Sequence, residues 1–178
     1  QDPASGAVVN LVEAQKDEFI LDACAAPGTK SLLMAQKVGV NGKIDAYDIN
    51  QNRVSQGKKD ILRHNYENID WYVADASKDK FPNYNKILID APCSGTGVIG
   101  RRPDIKYRLK EGDIKKMSVL QKAILANMSK YLEPRGKIVY STCSLEKDEN
   151  EDVVNDFLAR RKDFKLVVSN VLLPDNWI

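Results

Sequence analysis

Phe19-Ile20-Leu21-Asp22-Ala23-Cys24-Ala25-Ala26-Pro27-Gly28-Thr29-Lys30-Ser31 reads as an apolar strand that ends in a carboxylate, turns through small residues and enters a helix. Residues 19–21 suit a short buried strand, and the periodicity predicts a helix over residues 31–37 that stops near Gly39. Small side chains in the turn let the backbone approach a ligand, and Gly28 can take dihedrals closed to other residues. The start of the helix offers unpaired N–H groups to a carboxylate or a phosphate. Asp48 stands 20 positions after Gly28, where a ribose-binding acid is expected. The glycines do not follow the G-x-G-x-x-G spacing, so a plain strand-to-helix turn is the alternative.

The same alternation continues outward from this segment. Strands are predicted over residues 43–47, 70–74, 86–89, 137–140 and 164–173, with helices over 51–64, 112–132 and 148–161. The longest helix carries Ile114, Met117, Leu120, Ile124, Leu125 and Met128 at helical spacing, and Pro134 and Gly136 are expected to stop it. Strands separated by helices predict an α/β fold, a Rossmann-like, doubly wound and mostly parallel sheet. In such sheets ligands bind beyond the carboxyl ends of the strands. Asp22, Asp48, Asp75, Asp90 and Cys143 all fall at or just past predicted strand ends.

Composition sets the bounds. The chain has 178 residues, 43% hydrophobic and 29% charged, which suits one globular domain and excludes wholesale disorder. A net charge of +2 does not by itself announce nucleic-acid binding, yet residues 101–110 hold five cations against the single carboxylate of Asp104. Three cysteines without a C-x-x-C spacing exclude the usual zinc frameworks and argue against a disulfide scaffold. No metal and no membrane partner is expected, because neither a spanning apolar run nor a signal-peptide pattern is present. The expectation is a reduced, cytoplasmic protein. Gln1 in place of Met suggests a piece of a longer chain.

Two of the cysteines occupy similar settings 50 residues apart: Cys93 in Asp90-Ala91-Pro92-Cys93-Ser94-Gly95 and Cys143 in Ser141-Thr142-Cys143-Ser144. Thiols in polar turns beside a ligand-binding rim suggest covalent chemistry, whereas a free cysteine at a strand end can also be a small buried hydrophobe. With one histidine in the chain, His64 and predicted to lie on the surface, the common activating base is scarce. Carboxylates, backbone dipoles and substrate must arrange these thiols. Cys24 is read as packing beneath the first loop.

The loop 22–30, the run Asp90-Ala91-Pro92-Cys93-Ser94-Gly95-Thr96-Gly97 and the run Tyr140-Ser141-Thr142-Cys143-Ser144-Leu145 together resemble the Sun-type (RsmB-like) RNA cytosine-C5 methyltransferases. The likeness extends from Gln1-Asp2-Pro3-Ala4-Ser5 to Glu149-Asn150-Glu151. The run Gly97-Val98-Ile99-Gly100-Arg101-Arg102-Pro103-Asp104-Ile105-Lys106 is most similar to the bacterial branch acting on 16S ribosomal RNA, with transfer RNA or another ribosomal site as alternatives. The resemblance implies one class I methyltransferase domain over residues 1–178 with S-adenosyl-L-methionine as cofactor. Cys24, Ala25, Ala26, Pro27, Gly28, Thr29 and Lys30 would wrap its methionine part. Asp48 would take the ribose hydroxyls, Asp75 the adenine edge, and Asp90 would lie close to the reacting groups. The resemblance also makes Cys143 the nucleophile and Cys93 the thiol that assists product release.

Thr29 departs from the family, which usually has a second glycine there; a β-branched residue fits only if its φ is negative. Arg101, Arg102, Lys106 and Arg108 follow the Pro-Cys motif and are read as contacts to RNA phosphates, the alternative being a solvated charge run. Tyr107 would stack on a base or pack. Members of the family often add an N-terminal RNA-binding domain and continue to one more strand; neither is expected here, and the oligomeric state is open.

The chemistry requires these groups on its own terms. Carbon 5 of cytosine is a poor nucleophile until a thiolate adds at carbon 6, and an ordinary cysteine has a pKa of about 8.5. A DNA-type cytosine methyltransferase would use the Pro-Cys thiol as nucleophile instead. Other classes are a non-catalytic RNA- or cofactor-binding module and a nicotinamide-dependent oxidoreductase.

Overall fold

Ile20 and Leu21 are both fully buried although they point to opposite faces of their strand. A strand buried on both faces belongs in the middle of a parallel sheet covered by helices on each side. The computed structural model describes residues 3–110 and 112–167.

In chain order the elements are α1 (Pro3–Val12), β1 (Phe19–Asp22), α2 (Thr29–Val38), β2 (Lys43–Asp48), α3 (Gln51–Arg63), β3 (Ile69–Val73) and β4 (Tyr84–Asp90). Then come α4 (Ile105–Arg108), α5 (Asp113–Met128), β5 (Leu132–Ser141) and α6 (Glu151–Arg160), with short 3₁₀ turns at Thr96–Val98, Ser129–Tyr131 and Lys147–Glu149. The five strands pair in parallel in the order β3-β2-β1-β4-β5. The chain order reverses between β1 and β4, which makes that crevice the expected ligand site.

The core divides into two clusters across the sheet. Val9, Val12, Met34, Val38 and Val54 from α1, α2 and α3 pack on Ile20, Ile44, Ile69, Trp71 and Leu88. On the other face Ile124, Leu125, Met128, Val153 and Phe157 from α5 and α6 pack on Leu21, Tyr47, Tyr84, Ile87 and Ile89. Register then lines up the strand ends: Asp22 lies opposite Ala46 and Leu88, Asp48 opposite Val73, and Asp90 opposite Ser141.

Several elements depart from the sequence expectation. α1 has few signals of its own, with an internal Gly6, no acidic residue in its first turn and no basic one in its last; Val9 and Val12 hold it by tertiary packing. Pro134 and Gly136 do not follow a helix that runs to Leu132. α5 ends at Met128, and both residues lie inside β5. Pairing along this edge jumps from Tyr84↔Leu132 to Lys86↔Lys137, so a bulge with Arg135 at φ 67 takes up the proline that a regular ladder could not. Residues 101–110, expected to be a loop, contain the single turn α4, which the buried Ile105 anchors. The expected helix over 148–161 is interrupted at Asn150 before α6 begins. Of the expected strand 164–173, residues 164–167 have no regular structure, and residues 168–173 lie outside the described residues.

Trp71 on β3 fills the space between two glycines. A Cβ on Gly57 would stand 2.4 Å from its ring, and a Cβ on Gly28 would stand 2.8 Å from the same ring. The indole is 4% exposed, so little room is left for it to yield. Gly57→Ala gains helix propensity of up to about 1 kcal/mol but overpacks the core at a cost of about 1–3 kcal/mol. The expected outcome is a net loss of about 1 kcal/mol in urea unfolding; a variant as stable as the parent would contradict this packing.

Candidate active site

The first loop is bound to the sheet at both sides. Ala23 N–H donates to Leu88 O at 2.9 Å and Ala25 N–H to Tyr47 O at 2.8 Å. Gly28, at φ 105, makes the left-handed turn that opens α2. Thr29 is then the first helical residue and is not among the positive-φ positions, so the condition on a β-branched residue there is met. Asp48 is only 4% exposed. Its Oδ2 accepts from Ala26 N–H at 3.3 Å and its Oδ1 from Asn50 N–H at 2.9 Å, and Arg53 approaches it at 3.4 Å. Arg53 also donates to Ala26 O, so this acid ties the loop to the start of α3.

A cleft of about 150 Å³ lies over the β1/β4 crevice, lined by Ser5, Asp22, Cys24, Ala25, Ala26, Pro27, Thr29, Lys30 and Asp90. Seven of the residues predicted from the sequence therefore meet in one cavity; Gly28, Asp48 and Asp75 do not line it. Asp75 sits past β3, where its Oδ1 accepts from the Ser77 hydroxyl at 2.6 Å and Ser77 N–H at 3.0 Å. These hydrogen bonds, the hydroxyl first, hold its carboxyl below the usual range.

Sequence reasoning assigned no role to Ser5 and placed Asp22 only on the rim. Asp22 is 1% exposed; its Oδ2 accepts from the Ser31 hydroxyl at 2.7 Å, while its Oδ1 has no partner. Burial pushes its carboxyl up to about 7. Lys30 Nζ pairs with Asp90 Oδ2 at 2.5 Å, and the Ser141 hydroxyl donates to Asp90 Oδ1 at 2.8 Å. An open acceptor at Asp22, a cation at Lys30 and the free N–H groups of α2 suit a zwitterionic ligand with an ammonium and a carboxylate.

Beside this cleft the loops after β4 and β5 bring the two thiols together. Cys93 Sγ lies 3.0 Å from Cys143 Sγ, and Cys143 N–H donates to Cys93 Sγ at 3.3 Å. Gly97 N–H donates to Cys143 O at 3.0 Å, and a Cβ on Gly97 would stand 2.9 Å from that oxygen, so the loops touch because this residue is glycine. As donor, the Cys93 thiol stabilises the Cys143 thiolate and brings it down to about 7, against burial and Asp90 and with help from Lys30. The same contact, together with burial, pushes the Cys93 thiol well above its ordinary range. Cys24 is different: burial first, then the carboxylates of Asp22, Asp48 and Asp90, push its thiol far up, which suits packing rather than reaction.

This arrangement has close relatives. The family described as 16S rRNA methyltransferase RsmB/F matches residues 9–176. The chain belongs to that family. It is 36% identical over 169 residues to the probable ribosomal RNA small subunit methyltransferase B of Bacillus subtilis, covering 93% of this chain and 38% of that protein. It is 38% identical over 176 residues to ribosomal RNA small subunit methyltransferase B of Shewanella oneidensis, covering 93% and 39% respectively. The structure of NSun6 from Pyrococcus horikoshii with SFG superposes with a TM-score of 0.83 at 33% identity, covering 90% of this chain and 41% of that one. The chain thus spans about two fifths of the length of these RsmB/F relatives.

Next to the thiols, Arg101 and Arg102 precede α4, which carries Lys106 and Arg108. Arg102 and Arg108 approach Asp104 at 3.5 and 2.9 Å, and Tyr107 is 85% exposed. Among the described residues no helix is long and apolar enough to cross a membrane, and no three His, Cys, Asp or Glu side chains are grouped to hold a metal.

The protonation of Asp22 makes stability depend on pH. Its folded value of about 7 lies above the unfolded value, so the folded chain keeps a proton that the unfolded chain releases. This contribution is present in acid and is lost as pH rises through about 7. Between about pH 5 and pH 8, Asp22→Asn should gain on the order of 2 kcal/mol relative to the parent in urea unfolding. A constant difference between the two proteins would place Asp22 in its ionised form throughout.

Proposed function

We propose that this chain is the catalytic domain of a longer S-adenosyl-L-methionine-dependent enzyme that methylates carbon 5 of a cytosine in RNA, with 16S ribosomal RNA as substrate. The observation that carries the reading is the thiol pair, 3.0 Å apart, beside a cleft suited to a zwitterion. Family membership supports an RNA methyltransferase, and the geometry supports the cysteine chemistry.

The residues present fit the cofactor. Lys30 and the start of α2 would take its carboxylate, Asp22 Oδ1 its ammonium, and Ala25, Ala26 and Pro27 its methionine stem, with Asp48 and Asp75 toward the nucleoside. When bound, the cofactor supplies an electrophilic methyl group.

The target cytosine must leave its stack to enter the pocket. Cys143, with its thiol near neutrality, adds as thiolate to carbon 6, and the ring's electron pair makes carbon 5 nucleophilic. Asp90 would face the ring at nitrogen 3, a role that requires its carboxyl to carry a proton, and Lys30 and Ser141 hold its orientation. After methylation a base removes the carbon-5 proton, the carbon–sulfur bond breaks and Cys143 leaves as thiolate. Cys93, which holds its proton more tightly, assists this release at the adjacent sulfur. Arg101, Arg102, Lys106 and Arg108 carry the phosphate contacts.

Calorimetric titration with S-adenosylhomocysteine should show saturable binding, weakened tenfold or more, that is by about 1.4 kcal/mol, in Asp48→Ala. With an RNA containing 5-fluorocytosine, Cys143→Ala should form no covalent adduct, whereas Cys93→Ala should form it and release methylated product slowly from ordinary RNA. The reverse pattern would assign the nucleophile to Cys93, as in a DNA-type enzyme; no binding of the nucleoside would remove the cofactor assignment. Arg101→Ala with Lys106→Ala should lower the slope of log affinity against log salt by about 1–2.

A further inference from the structure

Glu149 is 0% exposed, and the proposed chemistry does not use it. A buried carboxylate is costly unless its oxygens are satisfied. Here they are satisfied by four neutral donors. Ser94 N–H donates to Oε1 at 2.9 Å and Gln121 Nε2 at 3.1 Å, while the Ser144 hydroxyl donates to Oε2 at 2.5 Å and the Ser94 hydroxyl also donates to Oε2.

The identity of these donors matters. Ser94 directly follows Cys93, and Ser144 directly follows Cys143. One carboxylate therefore holds the neighbour of each thiol, on loops that belong to different strands. The two hydroxyls are themselves 3.2 Å apart, and Gln121 ties the same carboxylate and Pro92 O to α5. The backbone carbonyl of Glu149 accepts from the Tyr140 hydroxyl at 2.7 Å, which fixes the residue against β5. Next to it, Asn150 accepts from the Thr142 hydroxyl at 2.7 Å and donates to Ser144 O at 3.0 Å, so the Cys143 loop is closed on itself.

We propose that Glu149 is a positioning residue that sets the separation of the Cys93 and Cys143 thiols by clamping the serine that follows each one. The inference rests on the two-thiol reading above. The contact between the sulfurs is what brings Cys143 near neutrality, so a residue that sets the contact also sets the reactivity of Cys143. Lys30, Asp90, Cys93, Tyr140 and Glu149 are the ionisable groups around the pair. Of these, Cys93 has the largest effect on Cys143.

Glu149→Gln keeps the size of the side chain, but its amide nitrogen must face either the two serine hydroxyls at Oε2 or the Ser94 N–H and Gln121 Nε2 donors at Oε1, so the four-donor clamp is broken in both orientations. The test is the pH profile of iodoacetamide alkylation at Cys143, read by peptide mass spectrometry alongside thermal melting and S-adenosylhomocysteine affinity. In the parent the rate should inflect near pH 7. In Glu149→Gln the inflection should rise toward the ordinary thiol value of about 8.5, with melting still cooperative and nucleoside affinity within about twofold. An unchanged profile in the folded variant overturns the proposal. So does an inflection that falls, because it would mean that the charge of Glu149 acts on the thiol directly. If Glu149→Gln does not fold, Ser94→Ala with Ser144→Ala removes the same hydroxyl links; an upward shift there supports the clamp and no shift overturns it. Failure of the parent to form an adduct with 5-fluorocytosine RNA would instead sink the methyltransferase reading, because alkylation needs no RNA.

Discussion

Everything in this site depends on the parallel hydrogen-bond ladder that aligns five strand ends on one rim. β1 is held between β2 and β4 and has no exposed edge, and its buried Ile20 and Leu21 commit one side chain to each core cluster. With that strand fixed, register delivers Asp22, Asp48, Asp90 and Ser141 to the same end of the sheet as the last residues of their strands. No loop has to reach far. The glycine loop, the Pro-Cys loop and the Thr-Cys-Ser loop all leave from this rim, and their hydrogen bonds to one another keep them there.

Electrostatics divides the rim into two parts with different tasks. Over β1 and β4, Asp22 is kept protonated by burial up to about neutrality, and Lys30 has its charge matched by Asp90. Over β4 and β5, two thiols stand in hydrogen-bond contact, and with Cys93 as donor the Cys143 thiol is lowered while that of Cys93 is raised, without any histidine. The hydrogen bond between the sulfurs lowers the Cys143 thiol with no histidine beside it, and the carboxylate beneath them fixes the loops that make this possible.

Much of this was legible in the sequence, for identifiable reasons. The apolar run 19–21 and the strands after it are continuous hydrophobic segments, which buried parallel strands require, so fold class and strand order of appearance follow from pattern. The candidate site was legible where a short motif carries its own geometry, as in residues 24–30 and around Cys93 and Cys143, which the structure brings to one rim. The failures share a cause. α1 has weak helical signals and is held by Val9 and Val12 from a distance; Pro134 looks like a helix stop until the bulge opposite Tyr84 and Lys86 shows it inside the strand that ends the sheet among the described residues. Ser5 enters the cleft only because α1 packs where it does. Asp48 and Asp75 are where the motif puts them, but their oxygens are already bonded to the protein, a detail that spacing does not carry.

Residue pattern alone therefore determined the alternation of strands and helices, the rim on which the strand ends gather and the candidate residues along it, because these depend on local periodicity and on the rule that parallel strands end together. Tertiary structure alone decided which groups touch. The 3.0 Å contact between Cys93 and Cys143 joins residues 50 positions apart, and the clamp of Glu149 on Ser94 spans 55. Such distances are set by how loops fold against one another and by which donors can reach a buried carboxylate. A hydrogen bond between two sulfurs is sensitive to tenths of an ångström, and no linear pattern encodes that scale.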